Sequence, residues 1–324
     1  MTAPDTGQGP ATVAVGYDGS EAAQDAVRWA AEYAAAGNYR IKVVHAWVWP
    51  MFTKKLGPVK GVEGSGLRHS AEAILAEGVE LARSSLAAAR TAGPSTPTAQ
   101  SVQTDATTSP PAGVTPAGED PFDAGTDSGV EGIMEAGLPA PVLRDAAGDA
   151  RLLVVSSRGL GGVLGHVAGS VCLALAGSSP CPLMVVRRRR GPGEAAAPVV
   201  VGVDGTSRSS AALAGAARLA TMIGAPLQIV HIDKASGRTR EGHGRHVRHG
   251  QDLLDHFLAE AKSLAPELSI TGVLREGHAA SKELLAAATD AEVLVIGTHN
   301  REGGPGNTVT AVLNKARCNV LITR

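Results

Sequence analysis

The sequence predicts an α/β protein made of two tandem doubly wound domains, each with a five-stranded parallel sheet. Three observations carry this expectation: an internal repeat, strands that are apolar along their whole length, and alanine-rich helical stretches between them. The repeat shows when TVAVGYDGS (Thr12 to Ser20) is compared with VVVGVDGTS (Val199 to Ser207), Asp18 falling on Asp204. The same shift of 186 positions carries KVVHAW at Lys42 to Trp47 onto QIVHID at Gln228 to Asp233, and His45 onto His231. Further on, ARLLVVSSRG at Ala150 to Gly159 matches AEVLVIGTHN ending at Asn300, and PCPLMVVR at Pro180 to Arg187 matches RCNVLITR at Arg317 to Arg324.

The first domain, expected over 11–189, begins with a strand at Val13–Tyr17, whose unbroken apolar run suits a sheet covered by helices on both faces. A helix over Glu21–Ala36, a strand over Ile41–His45 and a helix over Arg68–Arg90 continue the βαβ rhythm. From about 91 to 128 the chain is mostly Thr, Ser, Pro, Ala, Gly and Asp. Such a composition buries too little apolar surface to offset the entropy of ordering, so a disordered insertion, dispensable for folding, is expected there. The strand Leu152–Val155 resumes the sheet and Leu183–Arg187 closes it. Residues 190–197 are expected to be a linker, and the arginines that lead into it a solvated strand end.

The second domain, expected over 198–324, repeats the pattern with strands at Val199–Val203, Val293–Ile296 and Val320–Thr323. The shift between the copies falls from 186 at His45/His231 to 141 at Leu153/Leu294, so the first copy is longer in its middle by about 45 residues. The closing strands of both domains are apolar edges that need cover, which predicts an intramolecular pseudo-dimer joined near them. In the first domain the crevice where strand order reverses should bring the Asp18 turn beside the Ser156–Gly159 turn.

Composition narrows the partners. The 324 residues carry a net charge of −1, which supplies no field for nucleic acid or an anionic membrane, so neither is expected as a partner. The three cysteines, Cys172, Cys181 and Cys318, are too scattered for a disulfide framework or a metal cage and fit a reducing cytoplasm. The start MTAPDTGQGP has neither the basic nor the apolar region of a secretory signal, and no apolar run approaches a membrane span; a cytoplasmic location is expected. No metal site is expected. His243, His246 and His249 lie three apart in RTREGHGRHVRHGQ, but the interspersed glycines and the lack of clustered carboxylates read as a solvated basic segment.

Chemistry concentrates in SSRGLGGVLGHVAGS, Ser156 to Ser170, which leaves an apolar strand, crosses a glycine-rich loop and enters a helix at Gly169 or Ser170. Glycines let backbone N–H groups turn toward an anion, and a helix start adds unpaired N–H groups and the positive end of a dipole. No Lys-Ser/Thr pair follows the glycines, so this is not a Walker loop. An aspartate ending the first strand, together with a late G-x2-G-x9-G-[ST] loop, resembles the universal stress protein family. Here Asp18, Gly159, Gly169 and Ser170 fill the pattern, and Ser156 stands in the place of the first glycine.

The resemblance implies a stress-response protein that binds ATP, with or without magnesium, in its first domain and acts as a ligand-gated regulatory module. It places Asp18, Ala46 and Val155 around the base and ribose, and Ser157, Gly159, Gly169, Ser170 and Val171 around the phosphates, with Gly16, Tyr17 and Ser156 completing the set. No catalytic residue is assigned, because Ser156 to Ser170 contains no carboxylate to hold a metal or position a water. Two other classes stay open: a weak ATPase or self-phosphorylating protein using Ser170, and a nucleotide-free scaffold. In the second copy Gly297 is kept, Asn300 replaces the second glycine, and the loop before Gly306-Asn307 has five residues, Arg301 to Pro305, instead of nine. Nucleotide is therefore expected in the first copy and not the second.

Overall fold

The computed structural model describes residues 11–47, 64–92, 129–159, 168–191, 194, 197–233, 240–277, 279–298 and 304–324; for 64–67 and 240–249 only the backbone is described. The first copy runs β1 (Thr12–Gly16), α1 (Glu21–Gly37), β2 (Arg40–Trp47), α2 (Gly64–Ala92), β3 (Val130–Ala136), α3 (Pro139–Ala146), β4 (Leu152–Ser156), α4 (Ser170–Ser178) and β5 (Leu183–Val186). The second runs β6 (Val199–Val203), α5 (Ser207–Ile223), β7 (Leu227–Asp233), α6 (Arg240–Leu264), β8 (Ile270–Glu276), α7 (Ala280–Ala287), β9 (Val293–Gly297), α8 (Asn307–Lys315) and β10 (Asn319–Thr323).

One sheet of ten strands holds both copies, in the order β3-β2-β1-β4-β5-β10-β9-β6-β7-β8. All pairings within a copy are parallel. At the seam β5 and β10 pair antiparallel, with Met184 opposite Leu321. The closing strands thus cover each other's edges, and the expected pseudo-twofold runs through this pairing. The unbroken apolar strands bury both faces. Val13 and Val15 face α1 and α2, while Ala14 faces the side of α3 and α4. Each of the two core layers continues across the seam into the second copy.

Matched positions have matched geometry. Helix α1 starts at Ser20, whose hydroxyl accepts from the Ala23 N–H, and ends at Asn38 in the left-handed region (φ 52°). Helix α5 ends at the corresponding Gly224 (φ 64°). Among the described residues Asn38 is the only non-glycine with positive φ. His45 and His231 lie on interior strands of the sheet. Each is buried and donates its Nδ1–H to the carbonyl ending the neighbouring strand, Tyr17 O at 2.8 Å and Val203 O at 2.9 Å. Each imidazole therefore fixes the turn that carries Asp18 or Asp204.

Two expectations need correction. Helix α2 extends through Ala92, so the first two residues of the insertion expected over 91–128 are helical; 93–128 lie outside the described residues. The arginine run does not begin as a solvated strand end. Arg187 donates through Nη2 to Leu313 O, while its own N–H and that of Arg188 donate to Asn319 Oδ1 at 2.8 and 3.1 Å. The histidine segment lies at the start of α6, which begins at Arg240, and its histidine side chains are outside the described residues.

Candidate functional site

Strand order reverses between β1 and β4, because the chain winds outward from β1 through β2 to β3 and then returns to β4 on the other side. A cleft of about 520 Å³ opens there, within the range of small-molecule sites. All eleven residues implied from the sequence line it: Gly16, Tyr17 and Asp18 after β1; Ala46 on β2; Val155, Ser156, Ser157 and Gly159 leaving β4; and Gly169, Ser170 and Val171 entering α4. The intervening residues 160–167 lie outside the described set.

One wall is apolar, formed by Val44, Ala46, Leu143 and Val155. Gly16 has no side chain because Leu143 occupies the space: a Cβ would meet its methyls at 3.0 and 3.1 Å. The floor is a hydrogen-bonded turn. Asp18 Oδ1 accepts from the Ser20 N–H at 3.1 Å and from its hydroxyl at 2.6 Å, which ties the carboxylate to the start of α1. Gly159 lies against the other oxygen, and a Cβ there would sit 2.5 Å from Asp18 Oδ2. Glycine at 159 is thus what lets the loop and the carboxylate share this corner.

The opposite wall is the start of α4. Its N-cap Gly169 offers no side chain, and its own N–H donates to Ser157 O at 3.1 Å, closing the loop onto β4. The first intrahelical bond runs from the Leu173 N–H to Gly169 O. The N–H groups of Ser170, Val171 and Cys172 precede that bond, so the helix leaves them for an anion or water. Ser156 does not strain the loop: its φ is not positive, and its hydroxyl donates to Arg158 O at 2.6 Å.

Four further groups shape the electrostatics. Arg158 is exposed on the cleft rim, and Arg187 lies half-buried nearby; burial pulls the Arg187 pKa below its ordinary value, and the like charge of Arg158 acts in the same direction. Burial pushes the Cys172 thiol up to about 12, so it stays neutral while donating to Ser156 O at 3.0 Å. Burial, reinforced by Glu77, also raises Tyr17, whose hydroxyl donates to Glu77 Oε1 at 2.7 Å on α2. Among the described residues lining the cleft, Asp18 is the only carboxylate.

Six lining residues escaped the sequence reading: Val44, Pro139, Leu143, Arg158, Ala168 and Cys172. Val44, Arg158, Ala168 and Cys172 adjoin or fall within motifs already quoted, so alternation along β2 and the ends of the loop could have pointed to them. Pro139 and Leu143 carry no such signal, since α3 follows the low-complexity insert.

The second copy differs at the same places. Asp204 Oδ1 accepts from the Thr206 N–H and hydroxyl at 3.0 and 2.7 Å and from the Ser209 hydroxyl at 2.8 Å, and Ser209 Oγ also accepts from the Asp204 N–H. The position of Ser209 is Ala23 in the first copy, and that of Ala46 is Ile232. Among the described residues no group of three or more His, Cys, Asp or Glu side chains converges as a metal site, and no helix is long and apolar enough to cross a membrane.

Comparison with known proteins places these observations. The universal stress protein family model matches residues 11–187 and again 197–324. A universal stress protein of Mycobacterium tuberculosis is 26% identical over 322 residues, covering 96% of each chain. A second from the same organism is 30% identical over 194 residues, covering 57% of this chain and 65% of the relative. A crystal structure of a universal stress protein from Archaeoglobus fulgidus shares the fold with a TM-score of 0.63 at 15% identity, covering 97% of this chain and 96% of that one.

Proposed function

The chain belongs to the universal stress protein family, and from that premise we propose that its first domain is an adenine-nucleotide-binding regulatory module, with ATP as ligand. The observation that carries the proposal is the convergence of the eleven implied residues on one cleft that ends at an uncapped helix start. Apolar walls at Ala46, Val155 and Leu143 suit a purine, and the Asp18 carboxylate suits ribose hydroxyls. Backbone N–H groups at Ser170 and Val171, with the Arg158 guanidinium on the rim, suit phosphates.

In this account the protein holds ATP rather than consuming it. The Ser20 turn holds one oxygen of Asp18, and no second carboxylate lines the described cleft to hold a metal or orient a water. Magnesium, where present, would arrive on the phosphates. Binding in the cleft would draw Gly159 and α4 toward the Asp18 turn, and such a change in the loop is the natural output of a ligand-gated module in a stress response.

The test is to incubate the purified chain with ATP and magnesium and follow three quantities: bound nucleotide, released phosphate and phosphoserine. Stoichiometric adenine nucleotide without phosphate release or modified serine is expected. Steady phosphate release, or phosphate on Ser170, would replace the module with an enzyme. Absence of bound nucleotide at millimolar ATP would leave a protein-binding scaffold.

A further inference from the structure

The pseudo-twofold lays the loop end of each domain against the other domain's last helix, and the two contacts are chemically unequal. Counting back from the shared cysteines, Ala168 and Pro305 each lie thirteen residues before Cys181 and Cys318, and Gly177 and Asn314 each lie four before. The Ala168 N–H, at the foot of the first domain's loop, donates across the seam to Asn314 Oδ1 at 3.3 Å. At the equivalent contact Pro305 has no N–H to give and Gly177 no side chain to accept. That contact is instead a close packing, in which a Cβ on Gly177 would come within 2.8 Å of Gly304 Cα.

The far end of α4 is also held from the second domain. Arg324 donates through Nη2 to Leu175 O at 3.2 Å and Ala176 O at 3.0 Å, a cation on the carbonyls that end the helix. Arg187 returns the contact on Leu313 O, so cations cross this part of the interface in both directions. The Asn314 bond is not shared. It acts on the residue next to Gly169, whose N–H closes the loop onto Ser157.

We propose that Asn314, in the degenerate second domain, is a positioning residue for the first domain's anion-binding wall: it fixes Ala168 and through it the Gly169-Ser170 start of α4. The second domain thereby serves the first domain's site without contacting the ligand, and the sequence of Pro305 and Gly177 removes the reciprocal support. The proposal rests on the nucleotide reading above for its ligand and on the Ala168–Asn314 contact for its geometry.

The test uses the full chain with Asn314→Ala, a substitution a helix accepts readily. ATP and adenosine are titrated into wild type and variant, and exchange of the Ala168 amide is followed without ligand. ATP is expected to bind the variant about three- to tenfold more weakly, the worth of one hydrogen bond, with adenosine affinity unchanged and Ala168 protection lost. Asn314→Asp, which keeps an acceptor oxygen, should restore the protection. Unchanged ATP affinity, or an equal loss for ATP and adenosine, would overturn the positioning role while leaving the nucleotide site intact. If wild type binds neither ligand, the nucleotide reading fails; the Ala168 amide still decides, because unchanged protection in Asn314→Ala removes the contact on which the inference stands.

Discussion

The two domains agree where residues hold the sheet together and disagree where they face the crevice. His45 and His231 pin the same strand end, and Arg187 and Arg324 reach the same helix end across the seam. Around the crevice, Ala46 becomes Ile232, Ala23 becomes Ser209, the second loop is four residues shorter, and Pro305 removes a donor. Ser209 ties Asp204 into the turn with a hydroxyl that Ala23 cannot offer, so the aspartate common to both copies is held more fully by its own turn in the second. In the proposed function one domain is the site and the other its platform, and the residues shared by the two copies belong to the platform.

The largest effect should fall on the shared residues. Arg187→Ala and Arg324→Ala each remove a half-buried guanidinium from helix-end carbonyls, and each should cost about 2–3 kcal/mol in denaturant unfolding. Unequal losses would show that the seam is less symmetric than its contacts. Next comes a residue confined to the first domain's site. Gly159→Val places a side chain on Asp18 Oδ2 and should weaken ATP binding by roughly 10–100-fold, the worth of a charge-assisted hydrogen bond, with the melting midpoint unchanged. Wild-type affinity in this variant would detach Asp18 from the ligand.

Smaller effects sharpen the contrast. Ala23→Ser imports the second copy's Ser209 hydroxyl beside Asp18 and should weaken ATP about threefold by competing for the carboxylate; tighter binding would mean that the extra hydroxyl orders the site instead. Cys172→Val installs the residue found at the matched position, Val309, and should leave ATP affinity within about twofold, because a thiol held at about 12 acts only as a small neutral group. Its raised value also gives a sign. The thiol's contribution to stability is complete below the ordinary cysteine value of 9.0 and is lost as pH rises through about 12, so native Cys172 should resist alkylation at pH 8 and the wild type should lose more stability than Cys172→Val above pH 9. Rapid labelling at pH 8 would contradict this burial.

Much of the site was legible because its residues sit at strand ends and glycine turns, where backbone geometry restricts side-chain choice. Asp18, Gly159 and Gly169-Ser170 stand at such points, and the repeat fixed their register. The β3 and α3 segments were harder to see: VEGIMEA mixes glutamates with apolar residues at a sheet edge, and α3 has eight residues. Leu143 was hidden for the same reason, although Gly16 exists to receive it. The seam contacts were out of reach in detail, since Asn314 and Ala168 are 146 positions apart and Asn314 belongs to no recognisable motif. The arginine run misled because charge at a strand end usually points to water, whereas Arg187 finds the carbonyl end of a helix in the other domain.

The most direct test of a single working site is calorimetric titration of ATP into the wild type, Asp18→Ala and Asp204→Ala. One site per chain is expected, weakened at least about tenfold by Asp18→Ala, in line with a lost charge-assisted bond, and retained in Asp204→Ala. Binding that survives Asp18→Ala and disappears in Asp204→Ala would place the site in the second domain and contradict the division between the two.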